Sequence, residues 1–300
     1  IVYYMPNGLG DKQFHSTYKC QKQDGDPNVG SNKTKLVEAI DLYLKNDTSP
    51  CYEAINDWDV SQITDMSELF KSRSDFNQDI SDWNTSSVLN MESMFYFARN
   101  FNQDIGNWST DNVLDMSEMF RGATNFNQDI GGWNTSSVED MQYMFLSAEE
   151  FNQDIGNWST DNVEDMSYMF RLATNFNQSI GGWKTHNVKK MHYMFFEATD
   201  FNQNIGGWDT RRVEDMDRMF KEATDFNQNI GGWGTSTVEN MDSMFDGATA
   251  FKQDISGWNV SGVTDSDYFE NMFRNSGLST SNDTCEIRQG IISNFQAKNR

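Results

Sequence analysis

Phe101-Asn102-Gln103-Asp104-Ile105-Gly106-Asn107-Trp108-Ser109-Thr110-Asp111-Asn112-Val113-Leu114-Asp115-Met116-Ser117-Glu118-Met119-Phe120-Arg121-Gly122-Ala123-Thr124-Asn125 is one complete unit of a repeat that starts again at Phe126. All nine Trp fall on one series, Trp58, Trp83, Trp108, Trp133, Trp158, Trp183, Trp208, Trp233 and Trp258, with a spacing of 25 residues and no insertion. Self-similarity at a constant period of about 20–50 residues marks a solenoid or a propeller. A single unit cannot cover its own apolar side, so neighbouring units do it for each other.

Within the unit two patterns alternate. Met116, Met119, Phe120 and Ala123 sit at i, i+3, i+4 and i+7, the apolar face of a short helix, with Asp115 placed to cap it. Upstream, Ile105, Trp108, Thr110 and Val113 follow the skeleton of the strand half of a leucine-rich repeat, bounded by turn formers. The expected fold is an α/β solenoid: a right-handed, leucine-rich-repeat-like stack of nine 25-residue strand–turn–helix units, making a rod of roughly 40 Å at about 4.8 Å per unit. The Asn-Gln pairs, from Asn77-Gln78 to Asn227-Gln228, read as a ladder that satisfies backbone groups of the turns. The array spans residues 51–275. Residues 1–50 form an N-terminal cap with a helix near 33–45, and 276–300 a short C-terminal cap or tail.

The chain of 300 residues carries 45 acidic and 23 basic side chains, a formal charge of −22, which argues against phosphate backbones and anionic membranes as partners. Apolar residues make up only 37%, yet 22 Phe, 17 Met and 9 Trp provide six or seven large side chains per unit. No apolar run approaches the roughly 18 residues needed to span a bilayer, so no membrane insertion is expected.

The string Phe-Asn-Gln-Asp-Ile-Gly-Asn-Trp followed by Val-x-Asp-Met-x-x-Met-Phe-x-x-Ala resembles the BspA-like leucine-rich-repeat surface proteins, over about residues 51–275. The resemblance implies a cell-surface or secreted setting and an adhesive role, and it carries over no catalytic residue.

Extracellular placement is the working expectation, and the start at Ile1 rather than Met reads as a processed N-terminus. Sequons occur at Asn32, Asn46, Asn84, Asn107, Asn134, Asn157, Asn177, Asn259 and Asn282. A Cys20–Cys51 bridge would tie the cap to the first unit, leaving Cys285 as an odd, free or intermolecular thiol. Ile1-Val2-Tyr3-Tyr4-Met5 is a strand-prone segment that could add to the end of a neighbouring rod, giving head-to-tail filaments. The rival expectation is a monomeric module whose sheet face recognises a glycan or a protein. Lys184, Lys189, Lys190, Arg211 and Arg212, with His186 and His192, form a basic patch that reads as a solvated face or as a dock for an acidic partner, a second copy included.

No cofactor is expected. The column Asp79, Asp104, Asp129, Asp154 and Asp254 would accept Ca²⁺, but Ser179, Asn204 and Asn229 interrupt it, and solvated turn residues are the simpler reading. The Met-x-x-Met pairs recur at core spacing and read as packing rather than soft-metal ligands. His15, His186 and His192 have no fixed acid and nucleophile beside them in the sequence, so no enzymatic activity is expected.

Overall fold

In a computed structural model the chain is described over residues 29–45, 54–263 and 271–279. Ile1–Met5, Cys20, Asn46, Cys51, Asn282 and Cys285 lie outside the described residues. One α-helix, α1 (Val29–Leu44), precedes the array, beginning at Val29 rather than at Lys33. It carries Asn32 within its first turns. Two 3₁₀ turns, Ile55–Asp57 and Gly277–Ser279, flank the repeats.

The repeated units form a solenoid, but neither the helix nor the strand expected in each unit is found among the described residues. The unit quoted above is instead a succession of β-turns. Its i→i+3 bonds run from the N–H of Trp108 to the carbonyl of Ile105, Val113 to Thr110, Met119 to Met116, Arg121 to Glu118, Ala123 to Phe120 and Phe126 to Ala123. Between these, the N–H groups of Met116, Glu118, Phe120 and Gly122 leave the coil. They donate to the carbonyls of Asp140, Gln142, Met144 and Leu146 in the next coil, at 2.7–3.0 Å. A helix would have kept those donors within its own segment. Positive φ at Glu118 (56°) and Gly122 (70°) interrupts any helical course, and the same two positions are left-handed in coil after coil. Among the described residues strand pairing is reduced to seven isolated parallel bridges, from Asp65↔Asn90 to Asp215↔Asn240.

The helical spacing of Met116, Met119, Phe120 and Ala123 therefore has another cause. A backbone reversing every three residues also returns every third or fourth side chain to the inside, and all four are 0% exposed. Phe120 stacks on Phe126, six residues on, at 3.9 Å, and on its own equivalent Phe145 at 5.7 Å. The indoles form a parallel column with centroids 6.2–6.4 Å apart, each 2–4% exposed. Burying each of these side chains contributes about 1.5–3 kcal/mol, which orders the array despite its low apolar fraction.

Polar ladders bind the coils in the same register. Asn102 Oδ1 accepts the N–H of Asn127 and the Nε2 of Gln128, both at 2.9 Å, and the pattern recurs along the rod, as the Asn-Gln pairs suggested. Trp133 donates its indole N–H to the carbonyl of Ile105, and Thr110 its hydroxyl to that of Asn134. At the N-terminal end α1 lays Leu36, Ala39 and Ile40 on the first coil, with Tyr43 edge-on to Trp58 at 5.7 Å. Lys33–Asp65 and Arg73–Asp41 ion pairs fasten it there.

The closeness of the coils is most severe at the first glycine after Ile. A Cβ on Gly131 would lie 2.3 Å from the carbonyl oxygen of Asp154, whereas one on Gly132 would meet nothing within 4 Å. Ser81 and Ser256 take the Gly131 position only towards the two ends of the rod. Gly131→Ala should destabilise by about 1–3 kcal/mol through forced separation of two coils. Gly132→Ala should stay within about 0.5 kcal/mol of wild type. Chemical denaturation of the two variants side by side measures both values, and equal effects would contradict the stacking geometry.

Candidate functional site

With the inward positions committed to packing, chemistry can only reside on outward columns, and the sequence candidates distribute over several of them. Asn84, Asn107, Asn134, Asn157 and Asn259 are exposed. Asn84 Oδ1 accepts the N–H and the hydroxyl of Ser86, the third residue of its own sequon. Asn177 is different. It is half-buried in the polar ladder, where its Oδ1 accepts the N–H of Asn202 and the Nε2 of Gln203.

In the aspartate column Asp104, Asp129 and Asp154 each turn Oδ1 back onto the N–H of the glycine two residues on, at 2.9–3.0 Å. The Ser81 N–H does the same for Asp79 and holds its carboxyl below the usual range. These side chains therefore close turns. Among the described residues no group of three or more His, Cys, Asp or Glu is placed to hold a metal ion. The indoles are too buried to offer a stacking surface to a sugar.

The basic patch is largely neutralised from within. Lys189 pairs with Glu164 at 2.6 Å and Lys190 with Asp165 at 3.3 Å, both in the preceding coil. Arg211 makes a two-pronged contact with Asp209, whose carboxyl it pulls down to about 2. Arg212 donates to Asn187 at 2.8 Å, and Lys184 stays exposed. Next to this patch, Glu139, Asp140, Asn162, Glu164 and Asp165 line a groove of ≈550 Å³. Burial, together with the neighbouring Asp115 and Asp165, pushes the Asp140 carboxyl up.

His192 comes close to a serine and an acid: its Nδ1 lies 2.9 Å from Ser167 Oγ and 3.4 Å from Asp215 Oδ2. Both contacts fall on one ring nitrogen. A relay that activates a nucleophile needs the acid on one nitrogen and the hydroxyl on the other.

The face that sequence reasoning missed carries residues 118 and 121 of the quoted unit and their equivalents. Tyr143, Tyr168 and Tyr193 stack there at 4.6 and 4.7 Å. Arginines close the ends of the stack: Arg121 lies 5.5 Å from the Tyr143 ring and Arg218 5.3 Å from Tyr193. Arg171 lies beside Tyr168, Tyr193 and Phe196, at 4.9–5.8 Å from the ring centres. Tyr96 and Phe97 continue the aromatic strip towards the N-terminus. Burial raises the phenol pKa of Tyr143 and Tyr168, so both hydroxyls remain protonated donors. A signal was present in the sequence. Tyr143, Tyr168 and Tyr193 interrupt a column of Ser, Glu and Arg while nearly every inward position repeats.

At one end of this strip Asp217, 8% exposed, pairs with Arg218 through Oδ2 at 2.8 Å, while its Oδ1 is buried without a partner. Burial raises its carboxyl to about 6; Arg218 opposes the rise, and Asp215 and Asp242 add to it. The folded state therefore takes up this proton at a higher pH than the unfolded chain. The penalty of the ionised group is full above about 6 and is relieved as the pH falls towards 3.8. Asp217→Asn should be more stable than wild type by roughly 1–3 kcal/mol at pH 7.5, with a gap that closes on acidification. Thermal melts of both proteins across that range check the sign. In a eukaryotic secretory host, glycopeptide mass spectrometry should find glycan on the exposed sequons and none on Asn177.

A family model described as "Mycoplasma protein of unknown function, DUF285" matches residues 14–117, 36–152, 103–205 and 178–284, four overlapping windows along the repeats. No curated protein and no solved structure matches the chain. Among the described residues no helix is long and apolar enough to cross a membrane. With the family's repeat running from residue 14 to residue 284, the chain belongs to the DUF285 family.

Proposed function

We propose that this chain is an extracellular adhesive repeat protein without catalytic activity: a stiff rod that binds a partner protein through the tyrosine–arginine face. Its resemblance to BspA-like surface repeats is the reason for the extracellular placement. The single observation that carries the binding reading is the contrast between the two sides of each coil. Inward positions repeat almost without change, whereas Tyr143, Tyr168, Tyr193 and Phe196 gather half-exposed on the outside with arginines between them. Tyr and Arg are the residues that concentrate binding energy at protein interfaces.

This reading moves the recognition surface from the sheet face to the turn face. It also favours a protein over a glycan. The Trp rings are buried, and the tyrosine faces cover one another, so a sugar ring finds edges rather than a platform. Head-to-tail filament growth is the second reading: α1 covers the N-terminal end of the stack, whereas Ile1–Met5 would add to the C-terminal end of a neighbour.

The experiment has two parts. Protease treatment of intact producing cells should release the chain, and a chain fully protected until lysis would remove the extracellular reading. Beads coated with the purified protein should adhere to a subset of cell types. Tyr143→Ala combined with Tyr193→Ala and Phe196→Ala should reduce adhesion about tenfold or more, while the folded signal of the Trp column in near-UV circular dichroism persists. Unchanged adhesion by that variant would refute the assignment of this face.

A further inference from the structure

Four coils carry a cation at the position of Arg121: Lys71, Arg121, Arg171 and Lys221. Three of them have a carboxylate supplied by the chain. Lys71 pairs with Glu68, Arg121 with Glu118 at 2.9 Å, and Lys221 with Asp246 at 2.9 Å. Arg171 has none. Where Lys71 and Arg121 find a Glu three residues earlier, Arg171 finds Tyr168. Among the described residues its guanidinium makes no ion pair and no side-chain hydrogen bond, and its Nε, like that of Arg121, is buried without a partner.

What surrounds Arg171 is aromatic. Its guanidinium lies 5.8 Å from the Tyr168 ring centre, 5.7 Å from Tyr193 and 4.9 Å from Phe196. Such rings attract the charge but leave the N–H donors unused. Arg99, another arginine with no ion pair among the described residues, is exposed to solvent beside the Phe97 ring, at 5.9 Å from its centre. Arg171 is held half-buried and oriented in a chain of charge −22, in which an internal counter-ion would have been easy to supply.

We infer that Arg171 is the seat for a carboxylate from the bound partner: an Asp or Glu side chain of a peptide segment, gripped by the planar fork of the guanidinium, with its apolar neighbours resting on Phe196. The fork matches a carboxylate in two parallel bonds. The covered ring faces give a sugar acid nothing to stack on, and the charge of −22 repels a polyanion while tolerating one acidic group. This inference rests on the binding reading above.

The test is an array of heptapeptides in matched pairs, Glu or Gln at the centre with the same flanks, probed with the labelled full chain. A sulfated heparin-type disaccharide serves as a separate soluble probe. A subset of Glu peptides should bind about tenfold or more tighter than their Gln twins. Arg171→Gln and Arg171→Lys should each abolish that preference, the second because it keeps the charge and loses the fork. Lys252→Gln, at an exposed cation outside the tyrosine–arginine face, should leave the preference intact. Equal binding of Glu and Gln twins, no binding at all, or a preference that survives Arg171→Gln would overturn the seat. So would saturable binding of the disaccharide alone, which would point to a glycan. If the Arg171 variants bind peptides like wild type while the Tyr143/Tyr193/Phe196 variant does not, the seat fails and the binding face stands. If neither set of variants changes peptide binding, both fail.

Discussion

Everything in this structure depends on the alternate direction of backbone N–H groups. In coil after coil, donors at alternate positions between residues 116 and 122 and their equivalents reach the next coil, while those between close local turns. This division fixes the coil spacing, because a peptide hydrogen bond near 2.9 Å cannot be stretched without leaving buried polar groups unmatched. It also fixes the register. Phenylalanine meets phenylalanine, indole meets indole, and asparagine meets asparagine because each sits one coil, 25 residues, from its copy.

That register explains which residues are free to vary. A change at an inward position is felt on both neighbouring coils, so the penalty counts twice. Outward positions face water and can hold any residue that does not disturb the turn. The same logic explains the charge pattern. Lys189 and Lys190 reach back one coil to Glu164 and Asp165, and Arg218 reaches forward to Asp242, so much of the surface charge is paired along the rod rather than offered to solvent. Pairs this exposed contribute little stability, and their effect is chiefly to cancel local fields. Against that background the tyrosine stack and its arginines form a coherent deviation: aromatic, half-buried and only partly neutralised.

The sequence was legible at the level of period and polarity. Nine evenly spaced Trp determined the solenoid, and the recurring Asn-Gln pair determined a ladder, since identical polar residues in identical places can satisfy one another only along the stack. The helix and strand within each unit were misread for a definite reason. Apolar residues at i, i+3, i+4 and i+7 are required by a helix and equally by a run of three-residue turns with one wall facing inward. Only the partners of the N–H groups separate the two, and those partners lie in the next coil.

The charge balance of the basic patch depends on the stack in the same way. Lys189 and Lys190 look unopposed within their own coil, because Glu164 and Asp165 stand 25 residues away in the chain and beside them in space. The amino-acid sequence alone thus determined a repetitive, stacked, acidic molecule with buried aromatics. Tertiary structure alone decided that the unit is built from turns, that Asp217 is held against its ordinary ionisation, and that Tyr143, Tyr168 and Tyr193 become one surface with Arg171. Contacts across coils bring together residues that local sequence keeps apart, and hydrogen-bond direction, unlike hydrophobicity, leaves no periodic trace to read.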